Sequence, residues 1–349
     1  MTQADIKISV LDNTAPALQH WNQYLTEHPS ANFYQRAEWR GINETEFGHK
    51  TFFLTAQHGN EIAGLFPLVF INSRVFGRIL CSMPFVNFGG PCTNDPQIEA
   101  ALVEQACKIA REQQADYMEL RGLHRVTPEL ATSEHKISMT LELDADPDTL
   151  WNAFKSKHRT NIRRVYKNGV AVTAGGIELL DDFYDIMSQS WRTLGTPIYR
   201  KRYFHSILEA FGDDIRIFVA TQNGTPVATA FNGHFQSTVE GMWAGAIPAY
   251  RKLQINYVLY WEMIKDACER GFITYHLGRS TVETGGESFK KKWNAESTQL
   301  YWQYYLPDGG EIPQLNVQNA KYQLAIRAWK RMPLWATQLI GPILAKDIP

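Results

Sequence analysis

Six lysines and arginines and no acid stand between Lys155 and Lys167, in a chain whose formal net charge is only -1. At helical spacing Arg159, Arg163 and Lys167 share one face, while Phe154, Ile162 and Val165 turn toward a core. Guanidinium forks suit phosphate oxygens. The segment is either a site for a diphosphate, a sugar nucleotide or an RNA backbone, or a solvated charged face. A second stretch runs from Tyr275 to Trp293. A strand ends at Leu277-Gly278-Arg279-Ser280-Thr281, a Gly- and Thr-rich loop follows, and a basic Phe289-Lys290-Lys291-Lys292-Trp293 closes it. Loops after strand ends commonly carry ligand groups, so Arg279 and Lys290 are candidate binding residues and Ser280 a candidate hydroxyl donor; the alternative is an ordinary surface loop. Tyr199, after Gly195-Thr196-Pro197, is a second candidate donor or part of a structural turn. His234 and His276 each sit in an expected strand and read as packing residues rather than bases. No Ser/His/Asp, Cys/His or paired-carboxylate set can be picked from spacing, so no covalent nucleophile is assigned.

The elements that must position these residues repeat. Phe53–Phe66 and Phe218–Phe231 both read as strand, tight turn, strand, with Phe, Gln, Gly, Ala and Phe recurring. After each copy comes a helix-then-strand echo: Lys108, Ala110, Glu112 and Leu120 against Lys265, Ala267, Glu269 and Leu277. Two copies of one α/β unit imply two similar domains and a site where they meet. The expected division is an N-terminal domain over 1–145, a second over 146–310 and a helical tail over 311–349. Within it, helices are expected over 14–28, 32–47, 96–113, 150–167, 179–192, 200–211 and 254–270, and an aromatic strand over 298–306. The tail is expected to break at Pro333 and Pro342. Its Trp329, Lys330, Arg331, Trp335, Leu339 and Ile340 either touch a membrane surface or dock on the domain.

Bulk composition narrows the class. The chain has 349 residues, 44% hydrophobic and 20% charged, the balance of a soluble two-domain protein. Cys81, Cys92, Cys107 and Cys268 form no CxxC and no ligand set, so neither a zinc site nor a disulfide frame is expected. There is no GxGxxG or GxxxxGK[ST] loop, no apolar run long enough to span a bilayer, and no basic start with an apolar core at the N-terminus. The expectation is a reduced cytoplasmic protein, at most at the inner face of the membrane, with no DNA partner.

In order, Phe33-Tyr34-Gln35 with Trp39, Phe47-Gly48-His49, Pro84-Phe85-Val86-Asn87-Phe88-Gly89-Gly90-Pro91, Lys157-His158-Arg159-Thr160-Asn161-Ile162-Arg163-Arg164, Leu194-Gly195-Thr196-Pro197 and Leu277–Thr281 leading to Phe289–Trp293 make a pattern. It resembles the FemAB-like branch of the GNAT acyltransferase superfamily, in particular FemAB-related proteins of exopolysaccharide and PEP-CTERM/exosortase loci with a BioF2-like acetyltransferase domain. The resemblance implies an α/β (α+β) fold of two tandem GNAT-like domains with mixed sheets and a C-terminal helical segment. It implies transfer of an acyl or aminoacyl group to an amine, with aminoacyl-tRNA as donor and a phosphorylated glycan or nucleotide-sugar acceptor held at the diphosphate by Arg159 and Arg163. A lysine expected in the first domain after the tryptophan is absent; Asn43 stands near its place, which favours a different phosphorylated glycan from the peptidoglycan precursor.

Where GNAT domains carry (Arg/Gln)-x-x-Gly-x-(Gly/Ala) for the CoA pyrophosphate, this chain reads Arg251-Lys252-Leu253-Gln254-Ile255-Asn256. Side chains at both small positions are expected to crowd the phosphates, which argues against ordinary CoA binding. No tightly bound cofactor is expected; the co-substrate is aminoacyl-tRNA or an acyl-CoA. Three functions follow: an acyl or aminoacyl transferase of envelope or exopolysaccharide synthesis, an acetyl-CoA-dependent N-acetyltransferase of an amino sugar, or a non-catalytic glycan or nucleotide-sugar binder.

Overall fold

The computed structural model describes residues 6–313 and 320–349. In chain order the elements are β1 (Ile6–Val10), α1 (Ala15–Glu27), α2 (Glu38–Ile42), β2 (Lys50–His58), β3 (Glu61–Ser73), β4 (Gly77–Cys81), α3 (Pro96–Glu112), β5 (Tyr117–Gly122) and β6 (Ala131–Glu142). Then come α4 (Pro147–Ala153), α5 (Ser156–Lys167), β7 (Val170–Gly175), α6 (Leu180–Leu194), α7 (Lys201–Phe211), β8 (Ile215–Gln222), β9 (Thr225–Phe235) and β10 (Thr238–Ala246). The remainder is α8 (Asn256–Glu269), β11 (Thr274–Thr281), α9 (Gly285–Lys290), β12 (Glu296–Tyr305), α10 (Ala320–Arg331) and α11 (Leu334–Ala345).

The chain forms two compact units. They differ from the linear division expected above. Thr298–Pro313 and Asp347–Pro349 belong to the first unit, and the second begins at Ser138 and runs through Ser297. The reason is strand pairing. β12 lies antiparallel to β5, from Tyr301 opposite Gly122 to Tyr305 opposite Met118, and so completes the first sheet rather than the second.

Each unit repeats one topology. In the first, β1, β2, β3 and β4 are successive antiparallel neighbours and β5 pairs parallel to β4. In the second, β7, β8, β9 and β10 are antiparallel neighbours and β11 pairs parallel to β10. A parallel pair needs a crossover, supplied by α3 in one copy and α8 in the other. The helix-and-strand echo is in register. Lys108 and Glu112 pair at 4.0 Å, as Lys265 and Glu269 do at 3.6 Å. Ala110 and Ala267 face the core, and Leu120 and Leu277 are buried on β5 and β11.

The hairpin echo is one residue out of register. His58 pairs with Glu61 around Gly59-Asn60, and Gln222 pairs with Thr225 around Asn223-Gly224. The first turn puts its left-handed residue at Gly59 (φ 61°); the second takes positive φ at Asn223 (49°) and Gly224 (80°), as a type I′ turn requires. The bulges, at Ala56/Gln57 and Ala220/Thr221, confirm this alignment. Phe53 therefore matches Ile217 and not Phe218. Side chains alternate, so the literal sequence match would exchange the faces.

In the second unit the sheet is covered on both faces. Phe231 meets Phe183 of α6 at 5.2 Å, while its neighbour Asn232 donates to the Tyr275 hydroxyl at 2.6 Å on the other side. The first unit packs α3 on its sheet through Ile98, Leu102, Ala106 and Ile109. Two helix expectations need correction. The segment 150–167 is two helices, because Phe154 (ψ 145°) and Lys155 (ψ 139°) are extended. Residues 32–47 are a 3-10 turn, the short α2 and a π turn over Asn43–Phe47. The C-terminal helices separate at Pro333, but α11 continues through the buried Pro342. No helix among the described residues is long and apolar enough to cross a membrane.

The first unit holds one buried ion pair. Arg121 Nε donates to Glu119 Oε1 at 2.6 Å, and the guanidinium lies 4.5 Å from the centre of the Trp302 ring. Removing one partner strands the other charge in the core. Arg121→Met is expected to cost about 3–5 kcal/mol of stability, and Arg121→Met with Glu119→Gln to recover much of it. Urea unfolding of the two variants checks this. Equal losses would show that the pairing does not hold the site together.

Candidate functional site

The second unit has an opening in its sheet. β10 and β11 are bonded at three positions, Thr238 to Thr274, Val239 to Tyr275 and Glu240 to His276. β10 then follows β9 to Ala246, with a bulge between Gly241 and Trp243, while β11 runs on to Thr281 past the last pair with β10. The parting point is backbone against backbone. A Cβ on Gly278 would lie 2.7 Å from Gly241 O, and Gly278 has φ +82°. Glycine is therefore required there on both counts.

Lys290, from the last turn of α9, enters this opening. Its Nζ donates to Gly278 O at 2.7 Å and Arg279 O at 3.0 Å, and the side chain is buried. Burial lowers its pKa to about 8, and the Arg279 charge pushes the same way. An ammonium has three donors, and the third has no partner among the described residues. At the last bonded pair of β10 and β11, His276 Nδ1 meets Glu240 Oε1 at 2.7 Å. Burial opposes the imidazolium, but the Glu240 charge and hydrogen bond outweigh it and raise the His276 pKa. His276 is thus more than a packing residue: half-buried, it pairs with the buried Glu240 carboxylate.

At the start of α8 lies a cleft of about 250 Å³, walled by Tyr250, Arg251, Gln254, Asn256, Phe289 and Lys292 among others. The opening amides of a helix have no intrahelical acceptor and favour anions. Gln254 adopts φ 56°, ψ 39°, the left-handed shape that a glycine would supply. Its side chain is turned to Arg164, whose Nη2 donates to Gln254 Oε1 at 2.6 Å. The Gln254 side chain is thus held by a partner on α5. Lys292 Nζ reaches the Tyr257 hydroxyl at 3.3 Å.

Beneath the cleft, α5 packs on α8 through His158, Ile162 and Val165. The His158 ring is 4.3 Å from Trp293 and 5.1 Å from Tyr257, and Trp293 is fully buried under the α9 loop. Neither His158 ring nitrogen has a hydrogen-bond partner among the described residues. Burial, then the Lys292 charge, pull its pKa down to about 4.

The residues chosen from sequence fall into groups. Arg279 and Lys290 meet at the opening, and Ser280 is buried one residue further along β11. Arg159 and Arg163 sit on α5 with local partners: Arg159 Nη1 donates to Asn152 O at 3.2 Å, and Arg163 lies 5.2 Å from the Trp151 ring centre. Tyr199 is placed in the α6–α7 aromatic cluster, 5.6 Å from Trp191 and 4.9 Å from Tyr203. Asn43 is buried in the first unit, where its amide donates to Trp39 O at 2.8 Å. Sequence reasoning missed Arg164, whose partner is 90 residues away, and the Glu240–His276 pair. No local spacing marks either.

The first unit has no such opening. β4 stops at Cys81, and residues 82–92 fold back across β5: Ser82 N donates to Glu119 O and Gly89 N to Arg121 O, both at 2.9 Å. Phe85, Val86 and Phe88 are buried there. The Pro84–Pro91 motif is thus a plug.

Residues 154–291, which include the opening and the cleft, match the family model of the acetyltransferase (GNAT) domain. Similar solved structures include FemX (TM-score 0.63, 14% identity, 85% of this chain and 96% of that one). A second is the C-terminal domain of a putative lysylphosphatidylglycerol synthetase from Agrobacterium fabrum (TM-score 0.57, 12% identity, 89% and 94%). A third is a tandem GNAT protein from the clavulanic acid biosynthesis pathway (TM-score 0.55, 11% identity, 88% and 100%). No curated protein matches the chain in sequence. The class is defined by these findings: the second unit carries a GNAT acyltransferase domain. The chain as a whole shares its fold with FemX and with that tandem GNAT protein.

His158 makes the site acid-sensitive. The folded state keeps the ring neutral down to about pH 4, whereas the unfolded chain takes up a proton near pH 6.5. Unfolding therefore binds a proton between those values, so stability is full above pH 6.5 and falls as pH drops toward 4. The expected loss is on the order of 2–3 kcal/mol. Thermal melts from pH 7 to 4.5 should fall less steeply for His158→Phe, which keeps the aromatic packing. Parallel curves would assign the acid loss to other groups, His234 among them, whose burial and Arg270 neighbour lower its pKa to about 3.

Proposed function

We propose that this protein transfers an activated acyl or aminoacyl group to an amine on a phosphorylated glycan or another anionic precursor of the cell envelope or exopolysaccharide. The observation that carries this reading is the parting of β10 and β11 with the Lys290 ammonium set into it. An ester or thioester threaded through that opening presents its carbonyl to the unspent N–H of Lys290. The amine nitrogen attacks the carbonyl carbon, and the oxyanion that forms takes that hydrogen bond. The C–O or C–S bond then breaks, the nitrogen loses a proton, and the leaving group gains one. His276, held through Nδ1 by Glu240, is the titratable group at the opening that takes up the proton. Proximity and a prepared donor for the oxyanion supply the catalysis.

Arg251 and Lys292 suit the donor's phosphates at the cleft, and the cations of α5 suit those of the acceptor, with Arg159 and Arg163 as the binding residues we favour. The lysylphosphatidylglycerol synthetase domain, named for an aminoacyl ester of an anionic headgroup, supports an aminoacyl donor by likeness of fold. A second reading, transfer from acetyl-CoA to an amino sugar, is favoured by the left-handed Gln254, which keeps the backbone shape of a pyrophosphate loop.

Labelled aminoacyl-tRNA and acetyl-CoA, each offered with amine-bearing nucleotide sugars, decide between the readings. A rise in melting temperature with CoA alone would support the second, and transfer from neither donor would sink both. With the active pair in hand, Lys290→Met should lower kcat/KM about 10²–10³-fold and also lower the melting temperature, because the Gly278 and Arg279 carbonyls lose their donor. Wild-type activity should decline above about pH 8, where Lys290 loses its proton. A variant as active as wild type would take Lys290 out of the chemistry.

A further inference from the structure

α11 is docked back to front. A helix on a globular domain turns its large apolar side chains inward. Here the small residues face inward: Ala336, Thr337, Gly341 and Ala345 are buried. Gly341 comes so near the backbone of Ile198 that a Cβ would stand 3.0 Å from its carbonyl oxygen. The opposite face carries Trp335, Leu339 and Ile343, at i, i+4 and i+8, with 68%, 67% and 57% of their surface exposed. Three large side chains in one exposed row exceed the scattered apolar residues of an ordinary surface.

The charge beside this row is of one sign. Arg327, Lys330 and Arg331 of α10 are exposed. From Ala320 to Lys346 the sequence has five lysines and arginines and no aspartate or glutamate, in a chain with 35 cations and 36 anions in all. α10 is fixed to the same unit, since Gly195 at the end of α6 lies against Ile326 and Lys330. An apolar row with a tryptophan and a flanking set of cations is the make-up of a helix that lies in a membrane interface. A second copy of this chain is a poor occupant, because the same face would bring cations against cations.

We propose that α10 and α11 form a docking surface for an anionic lipid bilayer. Trp335, Leu339 and Ile343 enter the boundary between headgroups and acyl chains, and Arg327, Lys330 and Arg331 pair with lipid phosphates. The helices lie on the bilayer and do not cross it. This surface is separate from the opening at β10 and β11, so it stands or falls independently of the acyl-transfer reading.

The test is flotation of the full chain with vesicles of phosphatidylcholine alone or with phosphatidylglycerol added. The protein should float with the anionic vesicles, and much less with the neutral ones or in high salt. Leu339→Glu, and separately Arg327→Glu with Arg331→Glu, should reduce the bound fraction about tenfold or more. Both sets of side chains are exposed, so melting temperatures should match wild type. Ile273→Glu, a change at an exposed apolar residue elsewhere on the unit, should leave flotation unchanged. Absence of wild-type flotation, or flotation that Leu339→Glu leaves intact, would overturn the proposal. So would a wild-type dimer in sedimentation that Leu339→Glu dissociates, since the face would then be an interface between copies.

Discussion

The site depends on two parallel strands that stop pairing in the middle of a sheet. Parallel strands are normally buried and continuously bonded, and unpaired backbone carbonyls in such a place are costly. Here Gly278 and Arg279 turn their carbonyls to Lys290, which satisfies both with one side chain. The same act brings an ammonium into a buried position, where desolvation lowers its pKa. The ammonium sits beside the point where the β10–β11 pairing ends.

The two copies solve this problem in opposite ways. At the place of Glu240 and His276 the first unit has Cys81 and Glu119, with Cys81 Sγ 3.7 Å from Glu119 Oε1. Where β10 and β11 part in the second unit, the first lays residues 82–92 over β5 and binds them through the Ser82 and Gly89 amides. Arg121 stands where Gly278 stands in the other copy, counted along the paired strands. An arginine with a buried carboxylate and a tryptophan face fills space that a glycine leaves open.

How much of this was legible follows from the range of the interactions. The α3 and α8 echo was readable because Lys108–Glu112 and Lys265–Glu269 are contacts within one turn of helix. The hairpins were readable as hairpins, but their alignment was not. A Gly-containing turn marks where the chain reverses and not which turn position the glycine takes, so the match slipped by one residue. Arg279 and Lys290 were singled out because they lie 11 residues apart around one loop. Arg164 with Gln254, Glu240 with His276 and β12 with β5 are joined only by the fold. The break at Phe154 was hidden as well, because that residue is as apolar as the helical pattern requires. It is buried whether the segment is one helix or two.

The basic helix shows why a charge run is not by itself a binding site. Six cations on twelve or so residues repel one another, yet α5 is held by its other face, where His158, Ile162 and Val165 pack against α8. Each arginine then has a different outlet. Arg159 reaches a carbonyl, Arg163 an indole and Arg164 a glutamine of the cleft. These contacts hold the guanidinium groups while leaving most of their donors unspent, since a fork with five N–H groups gives up only one or two. The Arg164 contact also ties the helix to the left-handed turn before α8. An anion bound at that turn would therefore be felt on α5 through one hydrogen bond, and a ligand on α5 would stiffen the turn. Gln254 thus joins α5 to the turn that opens α8 by one side-chain contact.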